Sequence, residues 1–360
     1  MLQNKDVTKL NRLQSDKEDV VTIYLNCDQR RYKPEEIEEK LKDLLKIVGE
    51  KLGAEETKKI EEWIDLRLDK KVKGMAFYAS PSKNFWSIYK FPCPIKTGAY
   101  VEKNVHIEQL LQVLDELERY CVVVCDKEKA KIFTVFLGVI QDFSYIFDEF
   151  PGKHDQGGLA QQNQASHTEE HVRQHLKKIN EQLFKFWKEK GFDRLILAGS
   201  KEVLPELKKV LHTELKNRVV GEFFTELFKP NEHFLEQSLV VQEKVERQNE
   251  KKLVDELNNS LNGQLAVAGL KKVLDAIQER DIKALLVDSK LSTTGKKCPN
   301  CDFLGLDEVV CPYCSFKTED VKDVVDELVQ KAYSHRAKIE FVENNEVLAG
   351  MGGIGAMLRF

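Results

Sequence analysis

The stretch whose reading decides the fold is Pro151-Gly-Lys-His-Asp-Gln-Gly-Gly-Leu-Ala-Gln-Gln-Asn-Gln164, which runs into a helical pattern from about Ser166 to Trp187. Gly152, Gly157 and Gly158, with few apolar neighbours, make a segment that cannot bury itself. Exposed loops of this kind carry function on a rigid scaffold. Beside it stand Lys153, His154, His167, His171, Arg173, His175, Lys177 and Lys178, a set suited to phosphate more than to a catalytic pocket. Glycine allows close approach to an RNA backbone, and the cations give it a salt-sensitive affinity. Lys153, His154, Gln156, Gly157, Gly158, Gln161, His171, Arg173 and His175 are the candidate RNA-contacting residues.

The three histidines fall at i, i+4 and i+8 of one helix face. The core face of that helix is read as Val172, Leu176, Ile179, Leu183 and Phe186, with the histidine stripe flanking it toward RNA or solvent. A metal on the stripe is the weaker reading, because the His-Glu-x-x-His order is absent.

Working outward, Cys121–Val124, Lys131–Leu137 and Phe143–Phe147 read as three strands ahead of the loop. After the long helix come a short apolar strand, Leu195–Ala198, closed by Gly199-Ser200, and a helix over Lys201–Leu211. Three strands, a helix, a buried strand and a helix describe a mixed α/β sheet of the ribonuclease-H kind. Upstream, a polar start of about sixteen residues, frayed or a short helix, precedes a β-branched strand at Asp19–Leu25. Helices over Lys33–Leu52 and Glu55–Leu68, strands over Gly74–Ser80 and Phe85–Phe91, and a helix over Ile107–Leu117 complete a first α/β domain. Downstream, a charged helical connector, Glu232–Leu261, leads to a third α/β domain. That domain reads as a helix over Gly269–Arg280, a strand over Ala284–Asp288, a helix over Glu319–His335 and strands over Lys338–Val342 and Ile354–Phe360. The expected division is 1–119, 120–247 and 248–360, and a length of 360 residues fits two or three domains.

The third domain is interrupted by Cys298-Pro-Asn-Cys301 and Cys311-Pro-Tyr-Cys314. Two Cys-x-x-Cys knuckles so close together suit a structural zinc with no open coordination position, in a ribbon over 296–317. Cys-Pro-Tyr-Cys by itself could be a redox motif, but its pairing with a second knuckle argues for metal. Cys27, Cys93, Cys121 and Cys125 are scattered in strand-like contexts and read as buried thiols. Gly350-Met-Gly-Gly-Ile-Gly355 matches a dinucleotide fingerprint in letters only, since no helix can follow in the five remaining residues. No Ser-His-Asp, paired-carboxylate or P-loop pattern stands out. A net charge of −4 excludes a bulk polyanion binder, so contact with nucleic acid must be local. No apolar run reaches a membrane span and the first residues lack an apolar signal core, so the chain is expected to be cytoplasmic, with no membrane partner.

Lys153-His154-Asp155-Gln156-Gly157-Gly158-Leu159 resembles the Lys-His-Gly-Arg-Gly-Gly-Gln loop of the archaeal and eukaryotic class-1 peptide release factors, and the His-x-x-x-His run is closest to the superfamily's bacterial branch, which includes a ribosome-hibernation factor. Leu195-Ile-Leu-Ala-Gly-Ser200, the Gly269 to Asp288 pattern leading into the Cys-Pro-x-Cys pair, and Gly352-Gly-Ile-Gly-Ala-Met-Leu-Arg-Phe360 extend the likeness. The resemblance implies a three-domain release-factor-like architecture, with a ribonuclease-H-like central domain and a third α/β domain carrying a zinc-ribbon insertion. It implies a monomer in the ribosomal A site, touching rRNA there and at the peptidyl-transferase centre, with a translational GTPase of the elongation-factor-Tu type as a further partner. Two departures matter. The family's hydrolytic Gln position is Leu159, whose side chain can neither donate nor accept a hydrogen bond. The Asn-Ile-Lys-Ser codon-reading loop has no counterpart between about Gly49 and Lys73. The expected role is therefore protection of idle ribosomes during stress, with no catalytic residue assigned. The alternatives are a release or rescue factor using another group such as Gln161, or a Pelota-like ribosome-splitting factor.

Overall fold

A computed structural model describes residues 4–67, 72–116, 119–147, 160–279 and 282–359. The chain divides into two compact units, Met1–Glu116 with Asn249–Phe360, and Leu117–Gln248.

In the first unit, helix α1 (Asn4–Asn11) is followed by strand β1 (Val20–Asn26), then helices α2 (Pro34–Leu52) and α3 (Ala54–Arg67). Strands β2 (Gly74–Ser80), β3 (Phe85–Phe91) and β4 (Gly98–Glu102) and helix α4 (Glu108–Glu116) complete its N-terminal part. The strands form an antiparallel sheet in the order β3-β2-β1-β4. Side chains alternate across a strand. Val21, Ile23 and Leu25 meet Ile37, Leu41, Leu44, Leu45 and Val48 of α2, whose apolar residues recur every three or four positions. Thr22 and Tyr24 face the other way, where the Tyr24 hydroxyl donates to the His106 carbonyl at 2.6 Å. Pro34 opens α2, and the Glu36 carboxylate accepts the Lys33 N–H at 2.7 Å, tying down the first turn.

The second unit begins with β5 (Tyr120–Cys125), β6 (Lys129–Phe136) and β7 (Val139–Phe147), followed by the long helix α5 (Ala160–Lys190). Strand β8 (Arg194–Gly199), helices α6 (Val203–Val210) and α7 (Thr213–Lys216), strand β9 (Val219–Phe224) and helix α8 (Asn231–Leu261) follow. The sheet order is β7-β6-β5-β8-β9, antiparallel across the first three strands and parallel from β5 to β9. β5 is buried at every residue because both sheet faces are covered. One face packs Leu176, Ile179 and Leu183 of α5, and the other packs Phe234 of α8. Gly199 ends β8 beside Cys125, and a Cβ there would collide with the Cys125 carbonyl oxygen, so only glycine fits.

The helix read as a charged connector is instead half core. Its Ser238, Gln242 and Glu246 are buried at four-residue spacing. Ser238 shares a hydrogen bond with the Tyr120 hydroxyl at 3.0 Å, and Glu246 pairs with Arg194, the register partner of Tyr120. Ser238 and Glu246 therefore lie against polar groups at the start of the two strands.

The C-terminal part of the first unit contains β10 (Ala266–Ala268), α9 (Leu270–Gln278), β11 (Ile282–Asp288), β12 (Gly295–Lys297), β13 (Leu304–Gly305) and β14 (Glu319–Val321). Helix α10 (Val324–Ser334), β15 (Lys338–Val342), α11 (Glu346–Gly350) and β16 (Ile354–Leu358) complete it. The main sheet has the order β10-β16-β11-β15, and a small sheet has the order β13-β12-β14. The helix expected over Glu319–His335 starts only at Val324. Glu319–Val321 pairs with Gly295–Lys297, and the Asp323 carboxylate accepts the N–H groups of Val325 and Asp326 as an N-cap. Gly352 and Gly353 take φ of +89° and +73° in the turn before β16, and a Cβ on Gly355 would meet Leu257 Cδ2 at 2.5 Å. The glycine run therefore serves a turn and a close packing contact, as the missing helix implied. Helix α4 lies against β15, where Asp115 Oδ2 accepts the Phe341 N–H at 2.9 Å. Among the described residues no helix is long and apolar enough to cross a membrane.

Candidate functional site

Lys153, His154, Gln156, Gly157 and Gly158 lie outside the described residues, as does Leu159. In the chain they lie between the end of β7 and the start of α5. Gln161 is in the first turn of α5, and its side chain is likewise outside the description, with that of His167. From Glu170 onward the helix is described in full. Leu176, Ile179 and Leu183 are buried and Phe186 nearly so, against the sheet face formed by Cys121, Val123 and Ile132. Arg173, Lys177 and Lys178 are exposed and His171 is half-buried. Arg173 comes within 3.9 Å of Glu170.

The histidine stripe does not survive as a single exposed face. His175 is only 2% exposed and sits next to Leu176 on the core side of α5. The reason is geometric: successive i+4 steps advance about 400°, so a four-residue stripe drifts around a helix of 3.6 residues per turn and enters the buried arc. His171 and Arg173 stay on the accessible side, whereas His175 is not available to touch RNA in this conformation.

Cys298, Cys301, Cys311 and Cys314 come together as the sequence spacing implied, with all four Sγ atoms within 4.8 Å of one another. Cys298 and Cys314 are separated by 3.4 Å at Sγ, and so are Cys301 and Cys311. These distances are far beyond a disulfide bond and near the edge of about 3.8 Å expected for four sulfurs around a tetrahedral ion with 2.3 Å bonds. The two knuckles repeat one backbone design. The N–H of Cys298 bonds the Phe303 carbonyl and that of Cys311 bonds the Phe316 carbonyl, each at 2.8 Å. The residue after each second cysteine, Asp302 and Ser315, has φ of +56°. Such a left-handed turn in a non-glycine residue costs free energy and is repeated here where the chain must fold back to aim N–H groups and thiols inward. The donor set fits one thiophilic divalent ion, held by four thiolates.

The other buried thiols are Cys27, Cys121 and Cys125, and burial pushes Cys27 and Cys125 up to about 12. Such groups stay as unreactive thiols. Cys93, expected with them, is only partly buried.

A second polar cluster escaped the sequence. His106, in the loop before α4, places Nδ1 2.6 Å from Asp326 Oδ2 on α10, and both side chains are buried. This is an ionic contact more than an aligned hydrogen bond, since neither His106 Nδ1 nor Asp326 Oδ1 meets hydrogen-bond geometry. The Tyr100 ring stacks on the imidazole with centroids 3.5 Å apart, and Gln330 donates to Asp326 Oδ2 at 3.1 Å. Burial pulls the His106 pKa down, but Asp326, Glu102 and Glu108 outweigh it and raise the group to about 9. Burial, with Asp326 nearby, raises Glu102 and Glu108 to about 7. Neither His106 nor Asp326 has a spacing motif around it, so no sequence signal could have paired them.

The matches to known families cover this ground in two pieces. Residues 106–250 match the family described as bacterial archaeo-eukaryotic release factor family 10. Residues 247–360 match eRF1 domain 3. The chain belongs to the archaeal/eukaryotic release-factor superfamily. It is 27% identical over 308 residues to peptide chain release factor subunit 1 of Methanocaldococcus jannaschii, covering 75% of this chain and 72% of that one. Among solved structures, Dom34 of Saccharomyces cerevisiae, described as a translation termination-like factor interacting with Hbs1, aligns over 99% of this chain and 93% of its own with 12% identity and a TM-score of 0.43. An archaeal Pelota, from a model of ribosome-bound Pelota and ABCE1, aligns over 99% and 94% with 16% identity and a TM-score of 0.45. At that degree of superposition the two structures decide nothing further about this member of the superfamily.

Proposed function

We propose that this protein is a ribosome-binding translation factor that occupies the A site, directs residues 153–164 toward the peptidyl-transferase centre and protects idle ribosomes. The observation that carries the reading is the match to release-factor families over residues 106–250 and 247–360; the resemblance of the Lys153–Leu159 run, which puts Leu159 where the family has its hydrolytic glutamine, supports it. The glycine pair keeps the loop able to approach RNA, and the leucine leaves it without a group to orient water. The three-domain division 1–119, 120–247 and 248–360 and a ribonuclease-H-like central domain belong to the same proposal. The β7-β6-β5-β8-β9 order, three antiparallel strands followed by two parallel ones, supports the latter. The resemblance of the loop and helix run to the hibernation factor Balon supports the protective role.

His171 and Arg173 on the accessible side of α5 are the described residues we assign to RNA contact, and Lys153, His154, Gln156, Gly157, Gly158 and Gln161 are assigned from the sequence. Phosphate contacts make such binding salt-dependent. Ribosome pelleting should therefore fall steeply as salt is raised, and fall further in a Lys153→Ala, His154→Ala variant. Pelleting indifferent to both changes overturns the reading.

Cys298, Cys301, Cys311 and Cys314 are proposed to hold one zinc ion. The metal would close the segment as a structural cross-link, and four thiolates leave it no open position for chemistry. A translational GTPase is the proposed partner class for the protein.

A second reading has one observation in its favour: the Methanocaldococcus jannaschii relative is a peptide chain release factor. In that case Gln161 or another group would take over the role of the missing glutamine. Peptidyl-tRNA hydrolysis on stalled ribosomes, abolished by Gly157→Ala with Gly158→Ala, would favour release over protection.

A further inference from the structure

We propose that His106 and Asp326 form a proton-controlled latch that fastens the N-terminal α/β domain to the C-terminal domain, closing in acid and loosening in alkali. The geometry singles out this place. The pair joins a loop of the first domain to the first turn of α10 in the last, and it is nearly devoid of solvent. His106 is held at both ring and backbone. Tyr100 stacks on the imidazole face, the Thr22 hydroxyl accepts the backbone N–H at 3.2 Å, and the Tyr24 hydroxyl donates to the backbone carbonyl. Breaking its contact with Asp326 therefore means either parting the domains or leaving a buried carboxylate without its cation, which is costly.

The charges around the pair all push in one direction. Glu102 on β4, Glu108 at the start of α4, and Asp323 and Glu327 on or beside Asp326's helix are anions facing His106 or its carboxylate neighbours. The cations nearby are Lys96, which acts on Glu108, and Lys297, which pairs with Glu327 at 2.6 Å. The tyrosines Tyr24 and Tyr100 stay neutral, their pKa values raised by burial. A protonated His106 is thus the central positive charge among carboxylates.

The sign of the linkage follows. Closed, His106 holds its proton to about 9, against about 6.5 for a solvated imidazole. Its contribution to closure is complete below the solvated value and disappears as pH rises through about 9. Glu102 and Glu108 are also raised when closed, to about 7, so each resists closure once it ionises. Their opposition is absent at low pH and grows as pH rises toward 7. Histidine and glutamates therefore work in the same sense.

The Phe341 amide supplies a reporter, because it donates to Asp115 across the same pair of domains. In the full-length protein, hydrogen exchange of that amide and of the 104–107 backbone, corrected for intrinsic rates, should increase at least about tenfold between pH 6.5 and 9.5. A rise from about 6.5 to about 9 means a proton held roughly 300-fold more tightly when closed, so tenfold is the lower bound of the expected loss of closure. In Asp326→Asn, where Glu102 and Glu108 still face the ring, the rise should shrink to a small fraction of the wild-type one. The proposal is overturned if wild-type protection is flat over that range, if the full rise persists in Asp326→Asn, or if protection follows added divalent cations in place of protons. Should Asp326→Asn not fold, the ring titration of His106 in the wild-type protein decides: a midpoint near 9 supports the latch and one near 6.5 overturns it.

Discussion

The four-cysteine segment and the His106–Asp326 junction are neighbours. Lys297, adjacent to Cys298, pairs with Glu327, adjacent to Asp326. Both are small polar clusters in one compact unit, yet they are built on opposite principles. The thiols come from a single segment of two hairpin-like knuckles, each closed by its own backbone hydrogen bonds. The junction recruits β1, β4, the loop before α4 and α10, elements far apart in the chain. The first can form wherever its own short segment folds, whereas the second exists only when the N-terminal and C-terminal parts of the unit have already met. Damage to the cysteines should accordingly stay local, and damage to the junction should be felt between those two parts of the chain.

That contrast can be broken in three ways. The largest effect is expected from chelation, or from Cys298→Ser with Cys311→Ser. Zinc binding in small modules is worth roughly 10–16 kcal/mol near neutral pH, so the segment 295–321 should lose its exchange protection while the melting of unit Leu117–Gln248 is unchanged. Elemental analysis should give one zinc per chain, and carefully purified protein without zinc would count against the site. An intermediate effect is expected from Asp326→Ala, which leaves His106 buried with its counter-charge gone. Breaking a buried pair in this way costs about 3–5 kcal/mol, and calorimetry should show it without any loss of zinc. If zinc leaves with Asp326, the two clusters are one system and the contrast fails. The smallest effect is expected from Asp323→Ala. It removes the N-cap of α10, worth about 1 kcal/mol, and should lower the melting temperature slightly with both clusters intact.

Much of the scaffold was legible in the residues. Val20–Asn26 is a run of β-branched and aromatic side chains, Pro34–Leu52 has apolar residues at helical spacing, and Gly74–Ser80 and Phe85–Phe91 were readable to the residue. Among the described strands of five residues or more, two were not. Gly98–Glu102 is half-buried and short, and Val219–Phe224 is an edge strand with Gly221 at its centre, placed there because a Cβ would lie 2.5 Å from Val241. Neither shows the alternation that a half-buried strand ordinarily presents. The charged surface of α8 hid its core role, since Ser238 and Glu246 look like solvent-facing residues until Tyr120 and Arg194 are set opposite them. The glycine- and charge-rich candidate stretch 153–159 lies outside the described residues, and His175 was misplaced because helical drift depends on which arc the sheet covers.

By itself the sequence determined the features whose partners are close in the chain: the knuckles and the apolar faces of α2 and α5. Local spacing suffices for these because backbone geometry alone brings the residues together. Only the tertiary structure decided that His106 meets Asp326, that His175 is buried and that α8 carries a polar seam. Burial and the field of neighbouring carboxylates arise from packed elements, and these raise the proton affinity of an ordinary histidine in a loop.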